Sequence, residues 1–90
     1  MRQIVQTAQF KKDLRKVASS GRHQIGELFE IVSKLANDEP LPGRHRDHAL
    51  AGDWRHHREC HVRPDWLLIY RVAPELLTLV RTGSHSELFE

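Results

Sequence analysis

Cysteine is almost missing from this chain, with Cys60 alone in 90 residues. One thiol makes neither an internal disulfide nor a thiolate metal cage, and it fits most easily with a reducing cytosol. Long apolar runs are absent too, since none approaches the roughly 20 residues of a spanning helix. The opening Met1-Arg2-Gln3-Ile4-Val5-Gln6 lacks an apolar stretch of signal-peptide length, so the expectation is a cytoplasmic protein with no membrane partner. Glycine spacing gives no phosphate-binding loop. Zinc-finger spacing, a nucleophile elbow and a usable helix-turn-helix pattern are also lacking.

What is present suits one small domain over residues 1–90, with 39% apolar and 29% charged residues and a mean hydropathy of -0.57. A chain of this length hides a smaller share of its surface than a larger one. The net charge of +2 is unevenly spread: residues 1–37 carry +4 and residues 38–90 carry −2. A basic first part is compatible with a phosphate-rich partner, because Lys and Arg supply most non-specific nucleic-acid affinity; the plain alternative is a solvated helical surface. Six of the seven histidines lie in residues 38–90, where protonation near neutral pH would change the local field.

Residues 2–6 read as a strand. Phe10, Leu14 and Val17 then recur at helical spacing, with Lys11, Lys12, Arg15 and Lys16 on the remaining faces, and Ser19-Ser20-Gly21 closes that helix. Ile25, Leu28, Phe29, Val32 and Leu35 form the apolar stripe of a second helix, which ends near Ala36 ahead of Asn37-Asp38-Glu39-Pro40. Residues 37–53 read as a loop wrapping one edge. Residues 54–62 read as a strand with Trp54, His56, Arg58, Cys60 and Val62 on one face and Arg55, His57, Glu59 and His61 on the other. After the turn Arg63-Pro64-Asp65, residues 67–72 are nearly all apolar, as in a central strand; Ala73-Pro74-Glu75 turns into a last strand over residues 76–82. The order β-α-α-β-β-β predicts an α+β two-layer sandwich, two helices on a mainly antiparallel sheet. Phe10, Leu14, Val17, Ile25, Leu28, Phe29, Val32, Leu35, Ile69 and Leu79 are expected to line one continuous core.

The polar residues at strand ends suit RNA cleavage by a neighbouring 2′-hydroxyl. That reaction needs a group to take the 2′ proton, another to protonate the departing 5′-oxygen, and positive charge for the phosphorane. His61 and Asp65 are local to one turn, His48 reaches from the loop, His85 follows the last strand and Arg81 offers a guanidinium. Gly83 lets the chain turn so that the His85 ring can approach Asp65. His45, His56 and His57 read as exposed spacers, and a metal site through His48, His61 and His85 is a weaker alternative. Trp66 and Phe89 either stack on bases or close the ends of a small core.

Four ordered blocks carry a resemblance: Asp47-His48-Ala49-Leu50; Gly52-Asp53-Trp54-Arg55; Glu59-Cys60-His61-Val62 with Pro64-Asp65-Trp66-Leu67-Leu68-Ile69-Tyr70; and Arg81-Thr82-Gly83-Ser84-His85-Ser86-Glu87-Leu88-Phe89. From Leu41 to Phe89 the chain resembles the YafQ-type branch of the RelE/ParE superfamily of bacterial toxins. The resemblance implies a ribosome-dependent, metal-independent mRNA interferase with no cofactor, acting on mRNA in the A site of the 70S ribosome and neutralised by an antitoxin from an adjacent gene. It assigns catalysis to His48, His61, Asp65 and His85, and phosphate or base placement to Arg81, Trp66 and Phe89. Lys11, Lys12, Arg15 and Lys16 become the rRNA-facing surface. Glu59, where relatives can carry aspartate, is left without a role. The runner-up is a ParE-like toxin binding DNA gyrase without catalysis, and a third reading is an inactive partner-binding protein.

Overall fold

A computed structural model describes residues 1–89. Its first helix shows why the chain folds locally as it does. Thr7 precedes α1 (Ala8–Ser20), and its hydroxyl accepts from the Phe10 amide at 2.9 Å while donating to Val80 O at 2.9 Å. One side chain thus caps a helix and ties it to a distant strand. Gly21, at φ 74, ends α1 in the left-handed region open to glycine. The second helix, α2 (Ile25–Ala36), buries Leu28, Ile31, Val32, Leu35 and Ala36.

The strands are β1 (Gln3–Gln6), β2 (His48–Ala49), β3 (Arg58–Arg63), β4 (Trp66–Val72) and β5 (Leu76–Gly83), followed by a short helix α3 (His85–Phe89). They form one five-stranded sheet in the order β1-β5-β4-β3-β2. β2–β3, β3–β4 and β4–β5 pair antiparallel, whereas β1 runs parallel to β5. The expected α+β sandwich and the β3–β4–β5 meander are therefore present. β4 is buried throughout Trp66 to Tyr70, as its apolar run anticipates for a central strand.

Alternation along the strands divides the apolar side chains between two faces. Under α1 and α2 lie Cys60, Val62, Trp66, Leu68, Tyr70, Leu77 and Leu79. On the other face Leu67 and Ile69 pack with Leu88, and with the partly buried Leu50, Trp54, Val80 and Phe89. This corrects the expected single core in two places. Ile69 points away from the helices into the second cluster, because it alternates with Leu68 and Tyr70. Phe29 is 46% exposed; the apolar stripe on α2 is wider than the sheet it covers.

The reading of residues 54–62 as one strand also needs correction. Gly52–Trp54 forms a 3-10 turn, His56 adopts φ 70, and the strand begins only at Arg58. Trp54 consequently packs with the second cluster instead of sharing a face with Cys60. Part of the expected loop, His48–Ala49, pairs with β3 as an edge strand.

Candidate active site

Among the described residues, no helix but the five-residue α3 lies against the second face of the sheet, and His48, His61, His85 and Phe89 gather there. Arg46 takes the left-handed conformation at φ 46 and ψ 45, at a cost of roughly 1–2 kcal/mol for a residue with a Cβ. That turn leads into β2 and sets His48 opposite Glu59. His48 Nε2 is 3.8 Å from Glu59 Oε1, and His61 Nε2 is 3.4 Å from the same oxygen. The Glu59 side chain is only 8% exposed, so a buried carboxylate stands between two imidazoles. Each ring is held from its other side: His48 Nδ1 donates to Arg46 O at 2.5 Å and His61 Nδ1 to Pro64 O at 3.2 Å. A carbonyl only accepts, so the hydrogen resides on Nδ1 in both rings and Nε2 is the position where a proton is gained or lost.

The other half of the site is built by β4, β5 and α3. His61 pairs with Leu67, and Leu67 with Gly83, which puts the backbones of His61 and Gly83 two strand spacings, about 10 Å, apart. At Gly83, φ is 156 and a Cβ would meet Glu87 Oε1 at 3.2 Å. Ser84 and Glu87 then form a reciprocal cap: the Ser84 amide donates to Glu87 Oε1 at 2.9 Å and the Glu87 amide to Ser84 Oγ at 3.2 Å. Lys16 reaches Glu87 Oε2 at 2.6 Å. Lys16, with the Ser84 amide and hydroxyl, holds the Glu87 carboxyl down at about 2.

His85 opens α3 and is exposed. Its backbone amide, not its imidazole, meets Asp65, at 3.4 Å from Oδ1. The ring instead leans on Phe89, with centroids 5.0 Å apart and planes tilted by 42°. Phe89 in turn sets its edge to Trp54 at 6.1 Å. The turn at Gly83 therefore brings the chain of His85, and not its ring, to Asp65.

Two expected substrate contacts are placed elsewhere. Trp66 is 1% exposed, and its indole N–H donates to Thr82 Oγ1 at 3.0 Å. It closes the core and has no free face for a base. Arg81 turns toward α1, where Nε and Nη2 meet Asp13 Oδ2 and Oδ1 at 2.8 and 3.2 Å. Asp13 also receives the Thr82 amide at 3.2 Å and Gln9 Nε2 at 3.0 Å, so a nearly buried carboxylate is fully satisfied. The Asp13 hydrogen bonds raise the Arg81 guanidinium above its ordinary value. Arg81 thus serves first as the latch between β5 and α1. Lys11, Lys12, Arg15 and Lys16 are all exposed on α1.

One of the presumed spacers has a structural task. His45 is 9% exposed and donates from Nδ1 to His61 O at 2.6 Å, which fixes the end of β3. His56 is exposed, and His57 lies edge-on to Trp54 at 5.3 Å. The buried Cys60 thiol is pushed up to about 12 by burial, so it offers no thiolate at neutral pH. Among the described residues, no group of three or more His, Cys, Asp and Glu is arranged to hold a metal ion. Glu59 is the functional candidate that residue reading left unassigned. Its signal was present in the alternation Glu59, His61 along β3, but burial was needed to read it.

Residues 2–90 match the model of a family described as bacterial toxins of type II toxin-antitoxin systems, YafQ. The chain belongs to the YafQ family. The mRNA interferase toxin YafQ of Escherichia coli is 39% identical over 89 residues, covering 98% of this chain and 96% of that protein. A mutant toxin of Helicobacter pylori, solved with copper bound, has a TM-score of 0.94 and 42% identity, covering 99% of this chain and 100% of that one. The Escherichia coli DinJ-YafQ toxin-antitoxin complex has a TM-score of 0.87 and 39% identity, covering 99% and 98% of the two chains. Family membership sets aside the ParE-like gyrase reading, and the fold agrees with YafQ structures over nearly the whole chain.

Proposed function

We infer that this YafQ-family toxin is an endoribonuclease acting on mRNA, the toxin half of a type II pair, and that it cuts by attack of a 2′-hydroxyl on the adjacent phosphate. The observation that carries this reading is the pair of imidazoles, His48 and His61, set on either side of the buried Glu59 carboxylate. His85 stands across β4 from them. With hydrogen fixed on Nδ1, His61 takes the 2′ proton at Nε2, and Glu59 at 3.4 Å compensates the positive charge this creates. His48 supports the same carboxylate from the other side. His85, exposed at the start of α3, protonates the departing 5′-oxygen. Asp65 anchors that start through the His85 amide and is the alternative to His61 for the base role.

The ribosome enters this reading through α1, whose exposed Lys11, Lys12 and Arg15 supply phosphate contacts. The message is held in the A site, and the cytoplasm is where toxin and ribosome meet. No helix among the described residues is long and apolar enough to cross a membrane. A cognate antitoxin binds this toxin, as DinJ and YafQ form a toxin-antitoxin complex, and its binding blocks cleavage.

The test is to incubate the pure protein with a defined mRNA, alone and on programmed ribosomes, with and without the product of the neighbouring gene. Cleavage that requires ribosomes and is abolished by that product is expected. Cleavage of naked RNA at the same rate would remove the ribosome from the mechanism. No cleavage in either setting would remove the nuclease reading.

A further inference from the structure

His23 is the one histidine that lies before residue 38, apart from the catalytic candidates. It follows α1 and lies against Trp66: the ring centroids are 4.5 Å apart and the planes are inclined by 20°. Trp66 is fixed from behind by Thr82 and almost wholly buried, whereas His23 is half-buried. The two rings line a cleft of about 340 Å³, together with Lys16, Arg22, Asp65 and Ser84. That size lies at the lower end of the roughly 300–1,000 Å³ of ligand pockets. The cleft thus has an aromatic wall, a carboxylate from the turn that meets the start of α3, and an arginine at its mouth.

We propose that this cleft is a nucleobase subsite in which a base of the message next to the cut stacks on His23, with Trp66 as the rigid backing of the stack. This rests on the reading of the chain as an mRNA nuclease and deepens it. A base fits the cleft better than a phosphate does. Lys16 is already paired with Glu87 at 2.6 Å, and Asp65 and Glu87 line the same cleft, so its field is mixed and not cationic. An aromatic wall with acceptors and donors at the rim is the chemistry that holds an unstacked base. Asp65 uses Oδ1 for the His85 amide at 3.4 Å, which leaves Oδ2 to accept from a base N–H, while Arg22 is placed for the flanking phosphate. In this arrangement Trp66 acts on substrate placement only through His23, without touching substrate. A purine, with the larger ring face, is preferred over a pyrimidine.

The test combines His23→Ala, His23→Phe and His23→Leu with ribosome-bound messages that carry an abasic nucleotide at each position flanking the cut. For His23→Ala, the toxin concentration giving half-maximal single-turnover rate should rise roughly 5- to 100-fold, the range for loss of one base-aromatic stack. The rate at saturation should stay within about threefold. His23→Phe should restore tight binding and His23→Leu should not, although Leu covers Trp66 equally well. At one flanking position the abasic message should weaken the parent by the same factor and leave His23→Ala unaffected. Parental behaviour of His23→Leu, or additive losses at every abasic position, would overturn the subsite. NMR of the His23 ring protons and the Trp66 indole N–H during titration with a purine ribotrinucleotide separates the two readings. Shifts at both rings in a protein that cuts no mRNA would keep the subsite and sink the nuclease. Unshifted rings in a protein that does cut would do the opposite.

Discussion

The two faces of the sheet are made from alternate residues of the same strands, yet they do different work. The face under α1 and α2 is sealed by Phe10, Leu28, Val32 and Leu35 against Cys60, Leu68, Tyr70 and Leu79. The opposite face has a small apolar floor, Leu67 and Ile69, with Leu88 and Phe89 at one side and His48, Glu59 and His61 at the other. Apolar burial stabilises by roughly 25 cal/mol per Å², so stability is concentrated where two helices cover the strands. Ionisable groups persist on the other side because no long helix among the described residues covers it, and His48 and His85 stay exposed to water. The lesson is that the nuclease surface does not hold the fold together, and substitutions should separate accordingly.

The largest expected effect is on the open face. His85→Ala should lower single-turnover cleavage of ribosome-bound mRNA by roughly 10²- to 10⁴-fold, the range for a general acid, with one ionisation limb lost between pH 5.5 and 8.5. Its urea midpoint should barely move, since the ring is exposed. A variant cutting at the parental rate would shift the acid role to His61 or His48.

The sealed face should respond in the opposite way. Leu28, at 0% exposure, should lose about 2–5 kcal/mol of stability on truncation to Ala, while the folded fraction keeps its cleavage rate. Phe29→Ala, at a position 46% exposed, should stay within about 0.5 kcal/mol of the parent. Equal losses at Leu28 and Phe29 in urea unfolding would erase the distinction between the covered stripe and its exposed margin.

A third comparison separates binding from chemistry. Changing Lys11, Lys12 and Arg15 together to Ala should weaken ribosome association and flatten its salt dependence, with the rate of the bound complex nearly intact. Lys16 is left in place because it also holds Glu87. A salt slope identical to the parent's would take α1 out of the rRNA contact.

The smallest effect concerns the cap of α3. The Glu87 carboxyl lies at about 2 against an ordinary 4.5, so its contribution to stability is present above about pH 4.5 and is lost as pH falls from there toward 2. The side chain is 39% exposed, and solvent screening keeps the contribution small. Thermal midpoints of the parent and Glu87→Gln should differ at pH 7 and converge as pH approaches 2.5. A difference that persists at low pH would mean that the cap works without the charge.

Much of this arrangement was legible in the sequence. Helical spacing placed α1 and α2 within a residue or so of their ends, and the apolar run of β4 marked a central strand. Alternation put Cys60 and Val62 opposite Glu59 and His61. The same alternation does not reach back to Trp54, because the 3-10 turn at Gly52–Trp54 and the left-handed His56 keep the strand from starting before Arg58. For the site, the strand-end positions of His61, Asp65 and His85 were readable. The occupations of Trp66 and Arg81 were not, since Thr82 and Asp13 are remote from them in the chain or lie on another element.

What the sequence by itself determined is therefore the local part: element types, the α+β order, the meander and the residue types suited to RNA cleavage. These follow from periodicities and turn chemistry that act over a few residues. Only the tertiary structure decided that Glu59 is buried between His48 and His61, that Asp13 takes Arg81, that His23 covers Trp66, and that the His85 amide meets Asp65. Each of those is a contact between side chains or turns on different elements. Their partners are set by strand register and by which helix seals which face, and no local pattern encodes either one alone.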